Sequence, residues 1–167
     1  RASDLDSGDT GNGHHAKKFT FRPSEEKTAI PQIAGKDEIP AAGFLFEPGK
    51  AMMKAGGYNM LCSRFCLKKL GRSTHYYIGG DDLKESVVTE LHGLGKTFRI
   101  LECDSLDKRS IKRIAAMYPK AEVTARNLPM DTDTLRKKLG TVSSDTYHIF
   151  GLKSDTAGNL LLVTTRQ

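Results

Sequence analysis

At 167 residues, 38% hydrophobic and 28% charged, the chain has room for one ordinary domain or two small ones and the balance of a globular protein. No apolar run is long enough to span a bilayer as a helix. Three cysteines (Cys62, Cys66, Cys103) without Cys-x-x-Cys spacing argue against a disulfide framework or a zinc site, and for a reducing, cytoplasmic setting.

The net charge of +6 is unevenly spread. Residues 1–40 carry six Lys/Arg against seven Asp/Glu, and residues 41–167 carry twenty against thirteen. A basic body behind a near-neutral leader suits a nucleic-acid partner, and equally an ordinary solvated basic surface. The first residue is Arg rather than Met, and the chain is expected to be a fragment of a longer protein.

Residues 1–18 are rich in Ser, Asp, Gly and Asn and read as a linker or long loop. His14-His15 has no third ligand nearby, so no metal site is expected there. Phe19-Thr20-Phe21 alternates as a short strand, Pro23 to Glu26 starts a helical turn, and Pro31 and Pro40 keep the following stretch irregular.

Residues 44–70 form the stretch around which the rest is arranged. Apolar Phe44-Leu45-Phe46 leads to a turn at Glu47-Pro48-Gly49, and a first helix follows. Gly56-Gly57 interrupts it, and a second helix is expected over 59–70. Lys50 and Lys54 share one face of the first helix. Arg64 and Lys68 share one on the second, with Lys69 beside them, while Leu61, Phe65, Cys62 and Cys66 fill the other side.

Residues 74–78 predict a strand closed by Gly79-Gly80-Asp81-Asp82, with His75 a packed or edge residue rather than a base. Residues 96–103 predict a strand covered on both faces. Over 107–118, Asp107 caps a helix with Ile111, Ile114, Ala115 and Tyr118 on one stripe and Lys108, Arg109, Lys112 and Arg113 opposite. Those four cations could grip phosphate, but an ordinary solvated face is the favoured reading.

Pro119 ends that helix, and 121–127 gives a strand. Asp131 then caps a helix running to Gly140, with Met130 and Leu135 placed as a hydrophobic staple. Arg136, Lys137 and Lys138 in its last turn complement the helix dipole, which accounts for them without a ligand. Strands over 146–152 and 159–165 make a terminal hairpin. Strands interleaved with helices and closed by a hairpin predict an α/β fold around a mixed sheet.

No catalytic motif survives inspection. The segment Gly93-Leu94-Gly95-Lys96-Thr97 resembles the end of a phosphate-binding loop, but Glu90 stands where the first glycine must be, and the segment enters a strand. No glycine fingerprint for a dinucleotide or adenosylmethionine is present, nor a nucleophile elbow or zinc-protease motif. Cys62 and Cys66 read as core thiols rather than nucleophiles.

Several motifs do carry a resemblance. Residues 47–58, from Glu47-Pro48-Gly49-Lys50-Ala51 through Lys54-Ala55-Gly56-Gly57-Tyr58, resemble the "EP-x-x-A-x-x-KAG" segment of the PG_1098-type methyltransferase-like proteins of Bacteroidetes. In the same order, Thr74-His75-Tyr76-Tyr77 is similar to that family's "NTHLYTS", Arg126-Asn127-Leu128-Pro129 to its "VRNFP", and Leu135 to Leu139 to its "ELRKKL". Tyr147-His148-Ile149-Phe150-Gly151 resembles its penultimate strand. The likeness runs from about residue 19 to the end. One departure is at residues 93–98, where a "PGR-x-F" turn is common and Lys96 stands for the arginine, which weakens a bidentate phosphate contact.

The resemblance implies a small ferredoxin-like piece over 19–60 and a THUMP-like α/β domain with a C-terminal β-hairpin over 61–167, behind the linker of residues 1–18. It also implies an N-terminal methyltransferase domain, absent from this chain, that would hold S-adenosylmethionine. THUMP domains of RNA-modifying enzymes bind RNA, notably the acceptor end of tRNA, and present it to a catalytic domain. The expected role is therefore a non-catalytic module that binds RNA (tRNA or rRNA). Lys50, Lys54, Arg64, Lys68, Arg126, Arg136, Lys137 and Lys138 would be the phosphate contacts, and Tyr58 or Tyr76 the stacking partners. The alternative is a docking domain that orients the catalytic domain without binding RNA.

Overall fold

The computed structural model describes residues 3–5, 19–40 and 42–167. From the leader expected as a linker, Ser3–Leu5 forms strand β1, antiparallel to β2 (Phe19–Phe21). The remainder of the leader, with His14-His15, lies outside the described residues. Helix α1 (Pro23–Thr28) begins on proline, where a missing N–H leaves no helical bond unmade.

After an irregular segment come β3 (Ala42–Pro48), α2 (Lys50–Ala55), α3 (Tyr58–Phe65) and β4 (Lys68–Lys69). Then follow β5 (Tyr77–Gly80), α4 (Glu85–His92), β6 (Gly95–Ser105) and α5 (Lys108–Met117). The chain ends with β7 (Glu122–Arg126), α6 (Thr132–Leu139), β8 (His148–Ser154) and β9 (Gly158–Arg166).

Strands β3 to β9 form one mixed sheet, ordered β4-β5-β3-β6-β9-β8-β7. Its neighbours are antiparallel except the parallel pair β7–β8. The side-chain alternation of each strand divides the interior. On one face, Phe46 and Tyr77 pack with Met52, Leu61 and Leu91 of α2, α3 and α4, while Val123, Ile149 and Val163 pack with Ile114, Leu135 and Leu139 of α5 and α6. The other face carries Leu45, Ile78, Phe98, Phe150, Leu152 and Leu162, closed by Ala34, Ile39, Leu70 and Tyr76 from irregular segments.

The sheet curls until its distant parts meet. Asn127, at φ 56 just beyond β7, donates its amide N–H to the Ser73 carbonyl and to Thr74 Oγ1 (3.1 Å). The Thr74 hydroxyl donates to the Lys153 carbonyl (2.8 Å), and Asp155 accepts from the Arg72 amide (2.8 Å). Segment 71–76, which leads into β5, is thus strapped to the ends of β7 and β8. Both sheet edges are partly covered. At β4, Lys69 N–H donates to Gln32 O (2.7 Å) and Ala34 N–H to Lys69 O (2.8 Å). At β7, Ala121 N–H donates to Val142 O (2.9 Å) and Ala125 N–H to Thr132 Oγ1 (3.0 Å).

The later elements follow the sequence pattern closely. Asp107 and Asp131 accept from the amides of Ser110 and Thr134 (each 2.8 Å), and Gly140 ends α6 at φ 65. The segment before β6 enters a strand, which rules out a phosphate loop there. Gly95 approaches β3 so closely that a Cβ would lie 2.1 Å from the Glu47 carbonyl oxygen.

The earlier elements differ in four ways. The expected turn at Glu47-Pro48 is the end of a full strand, β3. Helix α4 was not expected at all. Strand β5 starts at Tyr77 and continues through Gly79-Gly80. Helix α3 ends at Phe65, where Cys66 takes φ 54, instead of reaching residue 70.

The early stop of α3 has a packing cause. Leu67 and Leu70 enter cores on opposite faces of the sheet, which residues three apart on one helix could not do. Arg64 and Lys68 consequently share no helical face, Lys69 is buried, and Cys66 is exposed rather than part of the core beside Leu61, Cys62 and Phe65. The division expected between residues 60 and 61 falls inside α3.

Candidate functional site

A cleft of about 410 Å³ opens where segment 71–76 crosses the ends of β3 and β7. One wall is the β3–α2 corner, with Glu47, Pro48, Lys50 and Met53. A second is Ser73, His75 and Tyr76, and the third is Arg126 and Asn127. Lys50 and Arg126 are exposed, and among the described residues neither has a carboxylate within ion-pair distance. Arg126 Nη1 donates to the neighbouring Ala125 carbonyl (3.1 Å), which leaves the rest of its guanidinium to the cleft.

The acid in the cleft is Glu47, whose Oε2 accepts from the Tyr76 hydroxyl at 2.6 Å. The Tyr76 ring is buried edge-on to Phe150, with centroids 5.6 Å apart. Burial, reinforced by the bond to Glu47, pushes the Tyr76 hydroxyl far above its ordinary pKa, so it stays a donor.

Behind the cleft, His75 stacks on Tyr58 at 4.2 Å, and the ammonium of Lys69 lies 5.6 Å from the same ring while donating to the Arg72 carbonyl (3.1 Å). Burial lowers the pKa of His75, helped by the Lys69 charge, and the imidazole is neutral at pH 7. Burial lowers Lys69 as well.

The structure brings Lys50 and Arg126 together from opposite ends of the sequence. Lys54, one turn along α2 from Lys50, is exposed and extends the same rim. The other expected contacts lie apart. Arg64 sits over the Phe19 ring, 4.8 Å from its centroid, and Lys68 pairs with Glu38. Arg136 pairs with Asp133 (2.9 Å). With Lys137 and Lys138 it occupies the last turn of α6, which runs back from Ala125 to the Val142–Ala121 contact, toward the end of β7 opposite Arg126.

Tyr76 cannot stack on a base, because its ring is buried, and one face of Tyr58 is taken by His75. On α5, Arg113 bridges Glu102 (2.8 Å) and Asp104 (2.9 Å), an ordinary surface pairing. Sequence reasoning missed Glu47, Ser73 and Asn127. Only Asn127 carried a signal, as asparagine is among the residues most tolerant of positive φ.

Burial pushes the Cys103 thiol up to about 11 and raises Cys62, so both stay protonated at neutral pH. Among the described residues no group of three His, Cys, Asp or Glu is placed to hold a metal, and no helix is long and apolar enough to cross a membrane.

Two family models match the chain: a ferredoxin-like domain over residues 44–85 and a THUMP domain-like region over residues 95–166. The first therefore supplies two walls of the cleft and the second supplies Arg126 and Asn127. A crystal structure of a "putative methyltransferase" from Porphyromonas gingivalis W83 shares the fold over 98% of this chain, with a TM-score of 0.78 and 19% identity. The present chain spans 38% of that protein's chain. No curated protein matches.

Proposed function

We propose, for a chain that joins a ferredoxin-like domain to a THUMP-like domain, that it is the RNA-recognition region of a methyltransferase whose catalytic domain lies outside these residues. The observation that carries this reading is the pair of cations, Lys50 and Arg126, contributed to one cleft by the two domains and without an ion-pair partner among the described residues. Phosphate is the common anionic feature of every RNA, and cations fixed on separate elements fit a bent backbone better than a row on one helix. Lys54 adds a third contact at the rim. In this reading the methyl donor, S-adenosylmethionine, belongs to the catalytic domain, and the RNA is a tRNA or rRNA.

Titration of fluorescently labelled tRNA and of a hairpin RNA, each at two salt concentrations, tests the reading. Binding of about micromolar strength is expected, with the K50A/R126A double variant weaker and its log–log salt slope shallower by roughly 0.7–0.9 per cation removed. No binding at low salt would overturn it. That outcome favours a domain that docks on the catalytic domain and orients it, a role consistent with how many other cations are already engaged by Glu38, Asp133, Glu102 and Asp104.

A further inference from the structure

We propose that the cleft reads a single unpaired guanine, an inference that rests on the RNA-recognition reading and narrows it. A pocket for phosphate alone is weakened by a carboxylate. Yet Glu47 lines this one, half-buried, and no cation among the described residues pairs with it. The Tyr76 hydroxyl fixes Oε2 at 2.6 Å, from a ring that is itself immobilised against Phe150. A carboxylate has about four acceptor positions, so one bond from Tyr76 leaves an oriented acceptor pair for a ligand.

Among the four RNA bases, guanine alone presents two adjacent N–H donors on its Watson–Crick edge, N1–H and the N2 amino group. Their spacing matches the two oxygens of a carboxylate. Adenine and cytosine place one amino group beside an acceptor nitrogen, and uracil flanks one N–H with two carbonyls. Each of those would set a lone pair against Glu47. The edge must be free of pairing, hence an unpaired nucleotide. Pro48 and Met53 supply apolar surface for the ring, and Lys50 and Arg126 supply charge for the phosphate. The volume of about 410 Å³ lies within the range of small-ligand sites, roughly 300–1,000 Å³.

The simpler account is that Glu47 serves only to accept from a buried tyrosine, and E47Q separates the two. The glutamine carbonyl still accepts from Tyr76, so the fold is kept, while the charge is lost. If Glu47 only satisfies Tyr76, E47Q removes a repulsion and raises affinity for all four nucleoside monophosphates alike.

The guanine reading makes the opposite prediction for one ligand. Calorimetry should show GMP binding about tenfold more tightly than AMP, CMP or UMP. E47Q should lower the GMP affinity by about that factor and leave UMP unchanged or stronger. A uridine pentamer with one central guanosine should outbind the all-uridine pentamer by a similar factor. A second variant, Y76F, keeps the charge but releases the carboxylate, and should reduce the guanine preference severalfold without changing UMP binding.

Equal affinities for the four nucleotides, or a stronger GMP complex in E47Q, would overturn the inference. If tRNA binding still depended on Lys50 and Arg126, the guanine inference alone would fall. If neither tRNA nor any nucleotide depended on them, the RNA-recognition reading would fall with it.

Discussion

The two halves of the sheet reach order by different routes. In the THUMP-like half, α5 and α6 each start on an aspartate that accepts a backbone N–H, and α6 stops on a glycine at positive φ. These are local devices, written in neighbouring residues. In the ferredoxin-like half, α2 also stops on a glycine, Gly56 at φ 72, but neither α2 nor α3 has a side-chain cap at its start. They are held by distant partners, as Glu26 accepts from the amides of Asn59 (2.7 Å) and Met60 (2.9 Å) and Tyr77 donates to Tyr58 O (3.1 Å), while the nearby Tyr58 hydroxyl ties α3 back to Met53 O (2.8 Å). The comparison shows where a site forms. The locally specified half presents its helix cations as plain surface and gives the cleft only Arg126 and Asn127, from the end of β7, whereas the half held by tertiary contacts supplies the rest of the cleft.

The contrast can be broken most sharply at Gly95. An alanine there would place Cβ 2.1 Å from the Glu47 carbonyl and 2.9 Å from the Gly49 nitrogen, with backbone on both sides and nothing flexible to yield. G95A should cost about 3 kcal/mol in urea denaturation. A loss below about 1 kcal/mol would mean that the β3–β6 seam, where the ferredoxin-like half is held by its neighbour, relaxes locally and that the contrast is mistaken.

Removing a local cap should cost less. D107A deletes the acceptor for the Ser110 amide and should lower stability by about 1 kcal/mol. A cost larger than that of G95A would invert the comparison.

A smaller effect is expected in acid. The hydrogen bond from Arg113 holds Asp104 below the usual carboxylate range. Burial works to raise Glu102, but the bonds from Arg113 and Tyr118 outweigh it and lower it too. Depressed carboxylate pKa values add stability above the unfolded-state values, about 4, and that stability is lost as pH falls through the folded ones. The denaturation midpoints of wild type and R113Q should therefore differ most at neutral pH and converge as pH falls through the lowered values of Asp104 and Glu102. A difference that grew in acid would contradict the pairing.

The smallest effect concerns binding. K137A/K138A removes two cations far from the cleft and should change tRNA affinity less than twofold, against a clear loss for K50A/R126A. A reversed order would move the interface to the end of α6.

What the sequence made legible follows the same division. The α5 and α6 boundaries, β7 and the terminal hairpin could be read because caps, proline stops and alternation are local signals. The family resemblance supplied the ferredoxin-like and THUMP-like architecture. Helix α4 was missed because Val87, Val88 and Thr89 are β-branched, and its N-cap, Lys84, offers no side-chain bond. The end of α3 was missed because the left-handed residue is Cys66, where glycine or asparagine would have announced it. Glu47 was hidden by the proline that follows it, which read as a turn although it closes a strand. The cleft was legible only as separate cations. Residues 47–53, 73–76 and 126–127 meet because the sheet curls, and the register shifts in β3 and β6 that accompany the curl have no evident signature in the sequence.

The partly covered edges of the sheet also govern how copies of the chain meet one another. An uncovered edge strand offers its free N–H and C=O groups to any extended segment nearby, and sheets left that way grow by addition. Here the Gln32–Ala34 segment lies along β4, while Val142 and Thr132 take amides at the two ends of β7. These contacts leave only short stretches of edge open to a foreign strand. Copies of the chain held side by side would therefore meet along edges that offer little to pair with, and crowding would bring them together without fusing their sheets.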